Sequence, residues 1–223
     1  MIEEFERPLS LVEATMKGIR SAIIGGNLSL GQILTESYLQ KSFGFSKTPI
    51  REALAQLKAE GLVVSEVHKG FRVFKMDEKE LSEFCEYRLA LESHALKNAY
   101  KNDRLELVRV LKDFIKDFKE SIKENDFNKY NLIDTKFHKS FFILSSNRYL
   151  TKNYENINGI IETIRTHTGP VIVDNYKLID SINGHISIHK HIKAKNLNLA
   201  LEELDKHINS WHDDRIIKSL LIP

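Results

Sequence analysis

Four side chains in the second half of the sequence have the types and spacing to hold a divalent metal ion. Asp134 and His138 are four residues apart, so both project from one face of a helix. His185 and His207 flank a turn at 196–198, so an antiparallel helical hairpin places them side by side. Three imidazoles and one carboxylate suit Zn, Ni, Fe or Mn, and the donor types do not select one of these metals.

The residues around these four side chains help to distinguish a metal site from an ordinary protein core. Aromatic residues around the first pair mark its helix face as inward. Buried imidazoles and carboxylates need partners, and one cation would serve all four groups. The alternative is that each group is satisfied separately in the core. His189 also stands four residues from His185, but it lies at the edge of the apolar stripe, so we rank it below His207 as a ligand.

Two arginines are candidates for binding a small-molecule ligand near this cluster. Arg88 and Glu92 interrupt the apolar stripe of a helix. Their spacing suits an ion pair within that helix, and Arg88 is also suited to line a ligand pocket. Both interpretations stay open at the level of the sequence. Arg165 is a second candidate.

A different chemistry is indicated by GFSKTPIREALAQLKAEGLV, at residues 44–63. Ser46 is a suitable N-cap, and Lys47, Thr48 and Arg51 crowd the first turn of the helix that follows. A helix N-terminus attracts phosphate, and the second helix of a helix-turn-helix contacts base edges through its N-terminal residues. These four residues are therefore predicted to contact DNA. The alternative is that Ser46 only caps the helix and that Arg51 pairs with a nearby carboxylate.

The elements that would position this helix are two further helices and a hairpin. Helices are predicted at roughly 9–24 and from Thr35 onwards, with glycines between them. LVVSEV and FRVFK are typical of two short strands, joined at His68-Lys69-Gly70. His68 and Lys69 would form the tip of a wing that reaches the minor groove or the DNA backbone. This order predicts a winged helix-turn-helix over residues 1–76.

Residues 77–223 show only helical periodicity. They predict an all-helical bundle of six or seven helices, so the fold is mainly α. Residues 168–180 are predicted to form the longest loop of the bundle. Helices later in the chain are predicted at roughly 149–166, 181–195 and 198–219.

The composition excludes several classes of protein. The chain has 223 residues, of which 42% are hydrophobic and 29% are charged, which is typical of a soluble protein with a core. No apolar run approaches the ~20 residues that span a bilayer. The acidic, polar N-terminus does not resemble a signal peptide, and a single cysteine, Cys85, fits a reducing compartment. We therefore expect a cytoplasmic protein with no membrane partner.

The N-terminal residues resemble the GntR family of bacterial transcription regulators. The resemblance is carried by IIGGNLSLGQILTESYLQKSFGFSKTPIREALAQLKAEGLV, in which apolar, glycine and capping positions agree together. Leu30 stands where the family usually has Pro, and Ser37 stands where a DNA-contacting Arg is common. Lys47 replaces an Arg whose planar fork can grip guanine. The resemblance implies double-stranded operator DNA as the partner, with a sequence that differs from the operators of better-known members.

The second part of the chain resembles the ligand-sensing FCD domain of the FadR subfamily. DTKFH at 134–138 and GHISIHKHIKAKNLNLALEELDKHI at 184–208 carry this resemblance, although the family commonly has Glu-His where this chain has Gly184-His185. The resemblance implies a homodimeric regulator, not an enzyme, that binds a palindromic operator and a small organic acid beside the metal. Alternatives are a regulator that responds to metal alone and a metal-dependent hydrolase. A hydrolase would need a general base, and no further paired carboxylate shares the interior.

Overall fold

The computed structural model of the protein describes residues 8–66, 70–172 and 176–221. The chain divides into two compact units, and the boundary lies between Lys75 and Met76. None of the described helices is both long and apolar enough to cross a membrane.

The described residues of the N-terminal unit form three helices and a small sheet. The elements are α1 (Leu11–Ile24), β1 (Ile33–Leu34), α2 (Glu36–Phe43), α3 (Lys47–Ala59), β2 (Val63–Glu66) and β3 (Gly70–Val73). All strand pairs are antiparallel, in the order β1-β3-β2. The predicted winged helix-turn-helix is confirmed. The short strand β1 was not predicted, because two residues are too few to show the alternation that indicates a strand.

Local chemistry explains where the helices of this unit begin and end. Thr35 caps α2 by accepting a hydrogen bond from the Tyr38 amide, and α2 ends at Gly44 in the left-handed conformation, with φ 74°. Ser46 occupies the N-cap position of α3, but its side chain makes no capping hydrogen bond. The core face of α3 is fully buried at Ile50, Ala53, Leu54 and Leu57.

The described part of the second unit is a bundle of helices, as predicted. The helices are α4 (Glu78–Lys123), α5 (Phe127–Ser145), α6 (Arg148–Ile172), α7 (Tyr176–Lys193), α8 (Leu197–Asn209) and α9 (Asp214–Leu221). A break at Asp103, with φ −153° and ψ 90°, divides α4 into two segments. The Asp103 carboxylate accepts a hydrogen bond from the Glu106 amide, so this residue caps the second segment.

Two predictions about this bundle are wrong. The loop predicted for 168–180 is helical at both ends, because α6 continues to Ile172 and α7 begins at Tyr176. The Thr168 hydroxyl donates to the Ile164 carbonyl at 2.8 Å, and tertiary packing overrides weak helix propensity here. The helix predicted for 198–219 is interrupted by a 3₁₀ turn at Ser210–His212.

Candidate metal centre and DNA-reading helix

The four residues predicted as metal ligands converge inside the helical unit. Asp134 and His138 come from α5, His185 comes from α7 and His207 comes from α8, and their donor atoms lie within 4.8 Å of one another. Nε2 of His138 is 3.2 Å from Nε2 of His207 and 3.4 Å from Nε2 of His185. Oδ1 of Asp134 is 3.2 Å from Nε2 of His185. One small cation would contact donors from three helices.

The hairpin of α7 and α8 brings two of the imidazoles together. Its turn includes Lys195, with φ 62°, and the Asn196 side chain caps α8 by accepting from the Leu199 amide. The turn therefore lies slightly earlier than the predicted turn at 196–198. The ring centroids of His185 and His207 are 4.3 Å apart, as expected for facing positions of an antiparallel helical pair.

Aromatic packing fixes the orientation of the His185 ring. Phe118 stacks on it with a centroid distance of 4.5 Å, and Phe137 contacts it edge-on at the same distance. Burial in this apolar wall lowers the pKa of His185 to about 4. Desolvation, with the neighbouring His185 and His138, also holds the pKa of His207 well below its usual range. Both rings are neutral at pH 7, the form that binds metal.

Glu92 is a member of this cluster that the sequence did not reveal, so the expectation that no further carboxylate shares the interior is wrong. Its Oε2 atom lies 2.6 Å from Nδ1 of His138, and both side chains are fully buried. Burial raises the pKa of Glu92, but Arg88 and His138 outweigh burial and hold it at about 2. The ionised carboxylate accepts a hydrogen bond from Nδ1–H of His138, so the lone pair on Nε2 faces the other donors.

The arrangement of these atoms fits a divalent metal ion. Three ring nitrogens converge here, with distances of 3.2 and 3.4 Å from Nε2 of His138 to its two neighbours, and a cation could accept a lone pair from each neutral ring. Three imidazoles and one carboxylate are a suitable donor set for a borderline metal. Asp134, His138, His185 and His207 would hold the ion, which would supply a positive charge to an anionic ligand. His189 is not in the cluster and is oriented instead towards the Val108 backbone.

A cavity of about 600 Å³ adjoins the cluster, a volume typical of small-molecule sites. Asp134 and His207 line it, together with Arg88 and Arg165. The other lining residues are mainly polar: Tyr130, Asn131, Asp180, Ser181, Asn183, Gly184, Ser187, Glu203, Lys206, Ser210, Trp211, Asp213 and Ile216.

Arg88 both forms an ion pair and lines the cavity, so the structure combines the two interpretations of this residue. Its Nε atom donates to Oε1 of Glu92 at 2.6 Å. Its guanidinium lies 4.8 Å from the centroid of the Trp211 ring, a distance suited to a cation–π contact. Its Nη2 atom is buried and has no hydrogen-bond partner among the described residues. This donor remains available to a ligand.

Arg165 contacts a predicted metal ligand directly. Its guanidinium forms an ion pair with Asp134, and its Nη1 atom donates to the Thr135 hydroxyl at 2.9 Å. Burial raises the pKa of Asp134, but Arg165 and the imidazole of His138 outweigh burial and hold it well below its usual range. Asp134 is therefore an ionised donor at neutral pH.

The residues predicted to read DNA lie together on the N-terminal unit. Ser46, Lys47, Thr48 and Arg51 are all exposed at the start of α3. The Arg51 guanidinium forms an exposed ion pair with Glu36 of α2, the carboxylate contact that was the alternative interpretation. Exposed pairs contribute only ~0–1 kcal/mol, so Arg51 can exchange this partner for DNA. The predicted wing contacts His68 and Lys69 lie outside the described residues.

Both units match known protein families. Residues 11–73 match the family described as "Bacterial regulatory proteins, gntR family", and residues 83–210 match the FCD domain. The chain is 30% identical over 189 residues to a probable D-xylose utilization operon transcriptional repressor from Paenarthrobacter nicotinovorans, covering 85% of this chain and 81% of that protein. It is 26% identical over 200 residues to the gluconate operon transcriptional repressor of Bacillus subtilis (strain 168), covering 87% and 81%.

Solved structures show the same fold. McbR/YncC from E. coli has a TM-score of 0.72 and 19% identity, and the match covers 91% of this chain and 95% of that chain. A putative GntR transcriptional regulator from Rhodococcus sp. RHA1 has a TM-score of 0.71 and 18% identity, with 92% and 96% covered.

The family matches agree with the winged helix-turn-helix in the first unit and with the helical bundle in the second. They also set aside the hydrolase alternative, because the relatives are named as transcriptional repressors. The chain therefore belongs to the GntR family of bacterial transcription regulators, in the group that carries an FCD domain, and it is a DNA-binding regulator and not an enzyme.

Proposed function

We propose that a small organic acid controls operator binding by this regulator and that it binds beside a divalent metal ion in the helical unit. Asp134, His138, His185 and His207 would be the metal ligands. The observation that carries this proposal is the cavity of about 600 Å³, which shares Asp134 and His207 with the cluster of donor atoms. A ligand in that cavity would have direct access to the metal.

The charges around the cavity favour a carboxylate. Four ion pairs account for most of the charged side chains at the cavity: Arg88–Glu92, Arg165–Asp134, Lys206–Glu203 and Arg215–Asp213. Asp180 adds one negative charge, so a bound divalent ion would still leave a net attraction for an anion. Nη2 of Arg88 is buried without a partner and can form a charge-assisted hydrogen bond to a carboxylate. One relative is named for a gluconate operon, and gluconate is an organic acid whose hydroxyls can hydrogen-bond to the polar side chains among the lining residues. Gluconate is therefore the first effector to test.

The division of roles follows the two units. Residues 1–76 would bind duplex DNA through Ser46, Lys47, Thr48 and Arg51, with His68 and Lys69 at the wing. Residues 77–223 would bind metal and effector and would form the homodimer. A two-fold dimer would bind a palindromic operator, and bacterial DNA lies in the cytoplasm. The effector would change DNA affinity only by the difference in its affinity for the DNA-competent and incompetent states.

Two measurements test this proposal. Genomic fragments selected by the purified protein would identify the operator, and its affinity would then be titrated with Zn²⁺ alone and with Zn²⁺ plus gluconate or other small organic acids. A response only when both are present supports the proposal, whereas a full response to Zn²⁺ alone favours the regulator that responds to metal. Elemental analysis should find about one divalent ion per chain after gentle purification or reconstitution. Protein that stays metal-free in both preparations contradicts the proposal.

A further inference from the structure

We infer that Glu92 is a positioning residue that sets the tautomer of His138 for metal binding and at the same time holds the cavity arginine Arg88. This inference rests on the proposed function, because it presupposes a metal ion at the four-donor cluster. Each oxygen of the carboxylate has a different partner. Oε1 accepts from Nε of Arg88 at 2.6 Å, and Oε2 lies 2.6 Å from Nδ1 of His138.

Burial makes both contacts obligatory. Glu92 and His138 are fully buried, and Arg88 is 1% exposed, so water cannot replace a lost partner at low cost. Arg88 and Glu92 are four residues apart on α4, and Trp211 packs against the Arg88 guanidinium. These contacts within α4 and with Trp211 therefore fix the position of the carboxylate that contacts His138 on α5.

The contact with α5 goes beyond what a structural ion pair requires. One oxygen of Glu92 would be enough to pair with Arg88. The second oxygen instead reaches across to a metal donor 46 residues away in the sequence. Because a carboxylate only accepts hydrogen bonds, His138 must carry its proton on Nδ1 and present the Nε2 lone pair. Nε2 of His138 is the atom that lies 3.2 Å from His207 and 3.4 Å from His185.

Glu92→Gln separates this role from simple packing, because glutamine has nearly the same shape. If its amide nitrogen faces His138, it donates to Nδ1 and moves the proton to Nε2, which removes the lone pair. If its amide nitrogen faces Arg88, two donors oppose each other. We expect Zn²⁺ affinity to fall by about 10- to 100-fold, the usual range for loss of such an outer partner. Glu92→Asp keeps the carboxylate and should recover part of the affinity.

The experiment measures Zn²⁺ affinity of the chelator-treated full chain by competition with a chromophoric chelator. Glu106→Gln is the matched control, because Glu106 also pairs with an arginine on α4, Arg109, but belongs neither to the cavity lining nor to the donor cluster. It should leave Zn²⁺ affinity unchanged. Absence of Zn²⁺ binding by the unaltered chain refutes the proposed function itself. Equally tight binding by the unaltered chain and by a folded Glu92→Gln refutes only the role of Glu92.

A second measurement does not depend on any Glu92 variant folding. Long-range ¹H–¹⁵N correlation spectra of the unaltered, metal-free chain labelled with ¹⁵N-histidine report the tautomer of each ring, and His138→Ala identifies the His138 signals. We expect the Nδ1–H tautomer for His138. A proton on Nε2 would overturn the inference.

Discussion

Gly184→Ala should weaken metal binding, although alanine should make helix α7 intrinsically more stable. Gly184 precedes His185 on α7, and the ring of His207 packs directly against it. A Cβ atom at this position would lie 2.9 Å from Nδ1 and 3.5 Å from Cγ of His207.

The expected magnitude follows from that distance. Ordinary van der Waals contact begins at 3.4 Å, so the His207 ring would have to move by about 0.5 Å, more than the ~0.2 Å tolerance of metal-ligand distances. We expect Zn²⁺ affinity to fall about tenfold, which corresponds to about 1.4 kcal/mol. In the opposite direction, alanine is favoured over glycine inside a helix by about 1 kcal/mol. The unfolding temperature without metal should therefore not fall.

The assay combines Zn²⁺ competition titration with thermal unfolding of chelator-treated protein. Gly18→Ala in α1 is the matched control, because its Cβ would lie 3.5 Å from the Phe43 ring, an ordinary contact. It should change stability without changing Zn²⁺ affinity. If Gly184→Ala binds Zn²⁺ as tightly as the unaltered chain, the space at Gly184 is not needed to position His207.

The remaining predictions concern the ligands, the cavity, the DNA-reading helix and the thiol. His138→Ala should lose most of the bound metal and His189→Ala should keep it, as measured by elemental analysis after reconstitution; equal metal content would refute the ligand assignment. Arg88→Lys keeps a charge beside the buried carboxylate but lacks the planar fork, so calorimetry should show retained Zn²⁺ binding and weaker gluconate binding. Arg51→Ala should lose ~1–3 kcal/mol of specific DNA binding in a titration of the selected operator, and unchanged affinity would contradict its role as a base reader. Burial raises the pKa of Cys85 to about 11, so the thiol stays protonated in the folded chain at pH 8. Iodoacetamide should therefore label Cys85 only after urea unfolding, and labelling of the folded chain at the rate of a free thiol would contradict this prediction.

Local sequence patterns were enough to predict many of the helices and turns of this protein. The apolar face of α3 and the glycine after it can be found in the sequence because a helix repeats every 3.6 residues. The spacing of Asp134 and His138, the turn between α7 and α8 and the resemblance to the FCD domain together placed four donors in one prediction. The arms of the hairpin explain why His185 and His207 face each other, and the packing of α5 against them brings all four donor atoms within 4.8 Å.

Only the tertiary structure decided which side chains surround those donors. Glu92 reaches His138 from another helix, and Arg165 pairs with Asp134 from a third. Neither contact leaves a local pattern, because the approach of two helices depends on the packing of all the side chains between them. The space beside Gly184 also depends on helix packing, because the His207 ring that fills it belongs to α8. The sequence therefore predicted the four candidate donors, while helix packing determined their hydrogen-bond partners, their ion pairs and the space that they occupy.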